Sequence, residues 1–543
     1  VLHASRPSPR PVHRTVDRAG RDRVAPGLPG GRVGRRVRAV AAGAVALLAL
    51  SACVAPKEQT TPEVEPTTSP STAAPEANSI EGFYEQQVTW ASCGTFECAT
   101  VQAPLDWEDA SAGSISLALQ RSVATGPADA RIGSLLINPG GPGSSGIEFL
   151  EYAVSDVMGE PVVAAYDVVA FDPRGVGSSS AVSCGPDPVV DEFLTTDVVL
   201  ESQADVEAAR ASVQAFGQGC LDATGPLLGQ IDTVSAARDL DLLRAVLGDE
   251  KLHYAGFSYG TFLGATYADL YPENVGRLLL DGALDPAMSN DDLVVGQAIG
   301  FEEALSAYVE DCQAGRGCPL DGSVDEGKQQ IAELVARIER RPLDAGNGAV
   351  VNGTMAFYGI VVTLYDDASW PYLTMALAEA MQQNTGATLL ELANFYLDRG
   401  PDGSYLSNSM IAFTAINCLD YPTPERTYDE MVAFADQVAA QAPTFGRDFA
   451  MAVGCESWPF QSEAERAPIT APGAAPIVVV GTTGDPATPY EWSVALAEQL
   501  ESGVLVTWEG EGHTAYGRSN ACVEDAVDAY LVEGTVPEDG LEC

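Results

Sequence analysis

The 543-residue sequence is poor in three things that decide much of its chemistry: histidine, lysine and, beyond its first fifty residues, positive charge. Only four histidines occur, His3, His13, His253 and His513, so very few side chains can serve as a base at neutral pH. Three lysines, Lys57, Lys251 and Lys328, stand against 26 arginines. Residues 1–52 hold ten of the 29 basic residues and two of the 76 acidic ones, which leaves a formal charge of −55 on the other 491. Such a surface repels phosphate backbones and anionic headgroups, which argues against nucleic acid as a partner and against adsorption of the folded part to a membrane. No Cys-x-x-Cys pair and no histidine cluster is present. A tetrahedral metal site therefore has no ligand set, and no metal or cofactor is expected.

What is there begins with an export pattern. Arg32, Arg35, Arg36 and Arg38 precede the uncharged stretch Ala39 to Leu50, 12 residues long and too short to span a bilayer permanently. It ends in Leu50-Ser51-Ala52-Cys53, which resembles the bacterial lipobox, so Cys53 is the expected lipid-bearing residue and 1–53 the signal segment. Residues 54–80 are Pro, Thr, Glu, Ser and Ala with little to bury, and read as a flexible tether. The expected location is extracellular, held to the membrane only through the lipid. Setting Cys53 aside leaves ten cysteines, an even number suited to an oxidising compartment. The simplest pairing joins neighbours: Cys93 with Cys98, Cys184 with Cys220, Cys312 with Cys318, Cys418 with Cys455, and Cys522 with Cys543.

Apolar, β-branched runs alternate with helix-period segments, the pattern of a mostly parallel, doubly wound α/β sheet. The predicted strands are Ser134–Ile137, Tyr166–Phe171, Leu252–Ala255, Arg277–Leu280, Ile477–Val480 and Val504–Thr507, with an amphipathic helix over Thr233–Leu247. The decisive segment is Gly256-Phe257-Ser258-Tyr259-Gly260, a G-x-S-x-G after an apolar strand and before the helical stretch Thr261–Tyr271. That context predicts a sharp strand-to-helix turn presenting the Ser258 hydroxyl, with glycines on both sides relieving the crowding.

A serine needs a general base to act as a nucleophile at neutral pH. His3 and His13 leave with the signal segment, and His253 lies inside the strand that carries the serine, where a packed sheet residue is expected. His513 follows the last predicted strand in Gly510-Glu511-Gly512-His513 and is the base by position and elimination. The acid that orients the imidazole should fall between serine and histidine, after the preceding strand. Asp485, in Gly481-Thr482-Thr483-Gly484-Asp485-Pro486, is the first acidic residue there, with Glu509 and Glu511 as rivals. Two backbone N–H donors are needed for a tetrahedral oxyanion. Tyr259, next to the nucleophile, supplies one; Gly141 in Asn138-Pro139-Gly140-Gly141-Pro142-Gly143 is the candidate for the other, since Pro142 has no N–H.

At these residues the chain resembles the secreted tripeptidyl aminopeptidases of actinobacteria, α/β-hydrolases related to prolyl iminopeptidase. The matching segments are NPGGPGSSG, DPRGVGSS, GFSYGTFLGATYA, AINCLDYP, CESWP, GDPATP and the GHTAYG loop, in the expected order over most of 81–543. The resemblance implies an α/β-hydrolase core in two parts, 81–286 and a TAP-like C-terminal region 471–543, a helical cap over 287–470, and a triad of Ser258, Asp485 and His513. It implies a monomeric serine exopeptidase that releases short peptides from free N-termini. Prolyl iminopeptidases carry HGGPG where this chain has Pro139 in the histidine's place, which argues against strict proline specificity. A carboxylesterase or lipase remains the alternative, because the same triad cleaves esters; a peptide-binding lipoprotein without activity would not need the triad. An aminopeptidase must also meet the substrate's ammonium with a carboxylate. Asp366, Asp367, Asp420 and Glu456 are the candidates, the last two beside the expected Cys418–Cys455 bridge.

Overall fold

The computed structural model describes residues 79–462 and 466–543. The expected signal segment, Cys53 and nearly all of the expected tether lie outside the described residues. Ten strands form one sheet: β1 Ala91–Cys93, β2 Phe96–Pro104, β3 Ser114–Ser122, β4 Gly133–Asn138, β5 Tyr166–Phe171, β6 Leu252–Phe257, β7 Val275–Asp281, β10 Ile477–Gly484, β11 Gly503–Glu511 and β12 Leu541–Glu542, in the order β1-β2-β3-β5-β4-β6-β7-β10-β11-β12. From β5 to β12 every pairing is parallel, while β1, β2 and β3 pair antiparallel, with β3 also antiparallel to β5.

The parallel strands are buried on both faces, as their near-continuous Val, Ile and Leu content requires. The period of two divides them between two cores. Leu136, Val169, Tyr254, Leu278, Ile477 and Val479 join one apolar cluster, and Leu135, Val168, Ala255, Leu279, Val478 and Val480 join the other. The helix Thr233–Leu247 covers the first face. It starts at Asp232, whose carboxylate accepts the Ser235 N–H at 2.9 Å, and stops at Gly248 in the left-handed region.

The sequence places its first strand at Ser134, but three strands precede it. β3 alternates buried Ile115, Leu117 and Leu119 with partly exposed polar neighbours, a one-sided pattern weaker than the two-sided runs of β4 and β5. Between β7 and β10 the chain is chiefly helical, including Asn290–Ala314, Val324–Arg340, Gly353–Leu364, Ala387–Tyr396 and Ser409–Asp420. These helices gather an apolar cluster of their own around Leu305, Tyr308, Ile331, Ile360 and Leu373. The segment also contains a small hairpin, β8 Leu343–Gly346 with β9 Ala349–Val351. The helical stretch read over Ser369–Gln383 is a helix, Trp370–Ala378, continued by a wider turn through Gln383.

Among the described residues five disulfides pair sequence neighbours: Cys93–Cys98, Cys184–Cys220, Cys312–Cys318, Cys418–Cys455 and Cys522–Cys543. This is the covalent pattern of a protein that folds in an oxidising, extracellular setting. Among the described residues no helix is long and apolar enough to cross a membrane.

Candidate active site

After β4 the chain goes to β5 on one side and then to β6 on the other, so the strand order reverses between β4 and β6. Loops leaving the carboxyl ends of two such strands diverge and open a crevice. Here the β4 loop is Pro139–Gly143 and the β6 loop is the turn at Ser258; Asn138 and Gly256, the last paired residues, lie side by side.

Ser258 sits between β6 and the helix Tyr259–Leu270 with φ 55° and ψ −126°, a backbone conformation that a residue bearing a Cβ adopts only under strain. The flanking glycines are sterically required. A Cβ on Gly256 would lie 2.3 Å from Gly260 O, and one on Gly260 would lie 2.7 Å from Asn138 O. The Ser258 N–H donates to Asp281 O at the end of β7, 2.9 Å away. The next residue, Gly282, lies under the imidazole: its Cβ would be 3.3 Å from His513 Cε1. Ser258 and His513 thus flank Asp281-Gly282. Among the described residues no hydrogen bond joins the serine hydroxyl to the imidazole, an open arrangement common before a substrate binds.

Both Asp485 oxygens are 2.9 Å from His513 Nδ1. The carboxylate is buried and also accepts the N–H groups of Ala487 and Thr488 at 2.9 Å, Thr514 N–H at 3.2 Å and the Thr488 hydroxyl at 3.0 Å. A carboxylate so surrounded by donors is an acceptor only, which assigns the imidazole proton to Nδ1 and leaves the Nε2 lone pair free to take a proton. His513 N–H in turn donates to Tyr365 O at 2.8 Å, and the Tyr365 ring stands edge-on to the imidazole.

The glycine loop presses against this turn. Gly140, at φ 100°, has no room for a Cβ, which would lie 2.8 Å from Ser258 Cβ and 3.1 Å from Tyr259 N. Its N–H is taken by Asn138 Oδ1 at 2.9 Å. The N–H groups of Gly141 and Tyr259 find no acceptor among the described residues. The site thus brings together a strained serine beside Gly140, a buried carboxylate–imidazole pair, and the unclaimed N–H groups of Tyr259 and of Gly141 in the adjoining loop, the kinds of group that acyl transfer uses.

The family model described as TAP-like protein, of the α/β-hydrolases, matches residues 442–543. Serine protease Hip1 of Mycobacterium tuberculosis (strain ATCC 25618 / H37Rv) is 36% identical over 483 residues, covering 84% of this chain and 91% of its own. Carboxylesterase B of the same strain is 34% identical over 473 residues, covering 84% and 90%. Tripeptidyl aminopeptidase of Streptomyces coelicolor (strain ATCC BAA-471 / A3(2) / M145) is 31% identical over 478 residues, covering 84% and 86%. The chain belongs to the TAP-like α/β-hydrolase family. It is a hydrolase.

In this TAP-like hydrolase several site residues escaped the sequence reading. Thr488 bridges Asp485 and His513, with its hydroxyl 3.2 Å from Nδ1; the Thr488 hydroxyl carries no signal beyond its closeness to Asp485. Asp281 is fully buried and receives the N–H groups of Ala515 at 3.0 Å and Tyr516 at 2.7 Å, which ties the loop after His513 to β7. Burial pushes its carboxyl up to about 6. The DPRGVGSS segment is structural here: Asp172 accepts from Ser145 Oγ, Ile147 N and Ser178 N, and Arg174 is wholly buried in a two-pronged pair with Asp239. His253 is a sheet residue. It accepts the Arg277 N–H on Nδ1, and burial lowers it to about 4.

The four acids considered for the substrate's ammonium are engaged elsewhere. Asp366 and Asp367 pair with Arg518, at 2.9 and 3.3 Å. Glu456 pairs with Arg210 at 3.3 Å and accepts Gly454 N–H. Asp420 is buried under the helix start at Thr233, accepting its N–H at 2.9 Å and its hydroxyl at 2.6 Å. Glu511 packs its carboxylate against Gly484 and Glu509 forms no bond to His513, so neither rival of Asp485 reaches the imidazole. A cavity of about 930 Å³ between the helices carrying Phe216, Phe357 and Arg447 shares no lining residue with Ser258, Asp485 or His513.

Proposed function

We propose that this chain is a serine exopeptidase that releases short peptides from free peptide N-termini, with Ser258 as nucleophile, His513 as general base and Asp485 as its orienting acid. The observation that carries the reading is the Asp485–His513 pair set beside a strained serine and two unclaimed backbone donors. Ser258 Oγ attacks the scissile carbonyl carbon while His513 Nε2 takes the hydroxyl proton. The carbonyl π electrons move to oxygen, and the resulting oxyanion is held by the N–H groups of Tyr259 and Gly141. The C–N bond breaks as His513 returns the proton to the leaving amine, and water repeats the sequence on the acyl-serine to release the acid and regenerate the hydroxyl.

Relatives named as a serine protease and a tripeptidyl aminopeptidase support peptides as substrates. In this reading residues 287–470 act as a cap that restricts the site to chain ends, the protein is a monomer, and Cys53 carries the lipid that holds it outside the cell. Ester hydrolysis is the second reading, favoured by the relative named carboxylesterase B. A paired assay separates them: the same tripeptidyl anilide with a free and with an acetylated amine, alongside the matching ester. Amine recognition worth about 2 kcal/mol or more predicts a loss in kcat/KM of roughly 30-fold or more on acetylation. Equal cleavage of the two anilides, with the ester strongly preferred, would move the reading to an esterase.

A further inference from the structure

The helix Ser409–Asp420 belongs to the segment between β7 and β10, yet it touches the glycine loop that carries one proposed oxyanion donor and reaches Tyr259, which carries the other, through Thr233. At its first turns it lies against the glycine loop: a Cβ on Gly143 would be 2.5 Å from Ser409 O and 2.8 Å from Phe413 N. At its other end Asp420 reaches Thr233, whose N–H and hydroxyl both donate to the carboxylate. With the Asp420 carboxylate ionised, the Thr233 hydroxyl proton is used, so in its short contact with Tyr259 the tyrosine hydroxyl is the donor. The chain of donors runs from Tyr259 through Thr233 to Asp420, and all three residues are buried.

The helix is also fixed at both ends. Asn408, just before it, donates to Gly175 O and Val182 O and accepts Gly177 N–H, each at 2.9 Å. Cys418 is bonded to Cys455 near its far end. Tyr259 is the first residue of the helix that follows the nucleophile, so whatever anchors its side chain also limits where its backbone N–H can point. A misplacement of about 1 Å at a reacting centre can cost on the order of 100-fold in rate.

We propose that Asp420, acting through Thr233, is a positioning residue for the Tyr259 oxyanion donor, so that seating of the Ser409–Asp420 helix and competence of the oxyanion hole are one event. The inference rests on the reading of Ser258 as the nucleophile. It gives Asp420 a function in the transition state and none in binding the substrate's amine.

The test uses the whole protein and a free-amine tripeptidyl p-nitroanilide, with Tyr259→Phe, Asp420→Asn, the double variant and Ser258→Ala. Tyr259→Phe removes one oxygen and keeps the backbone donor, so it carries the test even if Asp420→Asn fails to fold. Each single variant should lose about 10-fold in kcat, a fraction of the roughly 10²–10³ that follows outright loss of a donor, with KM within about twofold. The double variant should be no slower than the slower single one, because both cut the same chain of donors. Affinity for a peptidyl boronic acid, which fills the oxyanion hole, should fall in step with kcat, while affinity for the product tripeptide stays unchanged. Wild-type kcat in Tyr259→Phe, a loss confined to KM, or additive losses in the double variant would overturn the proposal. Turnover surviving in Ser258→Ala would instead overturn the nucleophile assignment on which it rests.

Discussion

Both carboxylate oxygens of Asp485 lie at the same distance, 2.9 Å, from Nδ1 of His513. The imidazole therefore has one orientation and one tautomer, and in the proposed mechanism its other nitrogen takes the serine's proton. Asp485→Asn would present an amide that can donate to Nδ1 and so favour the wrong tautomer. In the assigned mechanism kcat should fall by about 10⁴-fold with the fold intact, measured by steady-state kinetics on the free-amine anilide alongside circular dichroism. A loss below tenfold would move the orienting role to another group, with Thr488 the nearest.

Asp281 holds the far side of the same loop. Asp281→Ala would leave the buried N–H groups of Ala515 and Tyr516 without an acceptor. The expected cost is about 1–3 kcal/mol of stability, read as a lower urea midpoint, together with a fall in kcat because the loop carrying His513 is released. Unchanged stability and kcat would show that the loop is held by other contacts.

The pair between Arg174 and Asp239 is fully buried, with two contacts of 2.7 Å and a third bond to Asp239 from Trp107 Nε1 at 3.0 Å. Arg174→Met would strand the carboxylate in the core. Removing one partner of a buried pair costs about 3–5 kcal/mol, so the variant should unfold at a markedly lower denaturant concentration. Arg174→Met with Asp239→Leu should recover part of that loss.

Asp420 links stability to pH. Burial pushes its carboxyl up to about 7 from an ordinary 3.8, with nearby Asp232 adding to the rise and the Thr233 hydrogen bonds and Arg466 opposing it; Tyr259 and Tyr421 complete its surroundings. The folded state then holds this proton more tightly than the unfolded chain does. Its contribution is fully present below the unfolded value and is lost as pH rises from about 4 through about 7. Asp420→Asn is uncharged throughout that window. Urea midpoints measured from pH 4 to pH 8 should therefore decline less in Asp420→Asn than in the wild type, and parallel declines would contradict the raised carboxyl.

The parts of the candidate site set by local sequence are legible in it. The elbow at Ser258 is a short-range pattern, and with four histidines in the chain elimination led to His513. The parallel strands were legible because burial on both faces makes them continuous apolar runs, and the helix Thr233–Leu247 has the bounds its Asp and Gly caps suggest. Contacts between distant segments were not. Asp420 lies 187 residues from Thr233, and Tyr365 meets His513 through a carbonyl that every residue possesses. The ammonium candidates illustrate the limit: nearness to a disulfide is visible in sequence, but whether an acid already has a partner is decided by packing.

Ser258 is the proposed nucleophile, and that role is tested most directly by turnover of the free-amine tripeptidyl anilide by Ser258→Ala beside the wild type, with circular dichroism to establish that both are folded. The mechanism predicts a folded variant with kcat/KM at least about 10³-fold below the wild type. Cleavage at the wild-type rate by the folded variant would contradict it.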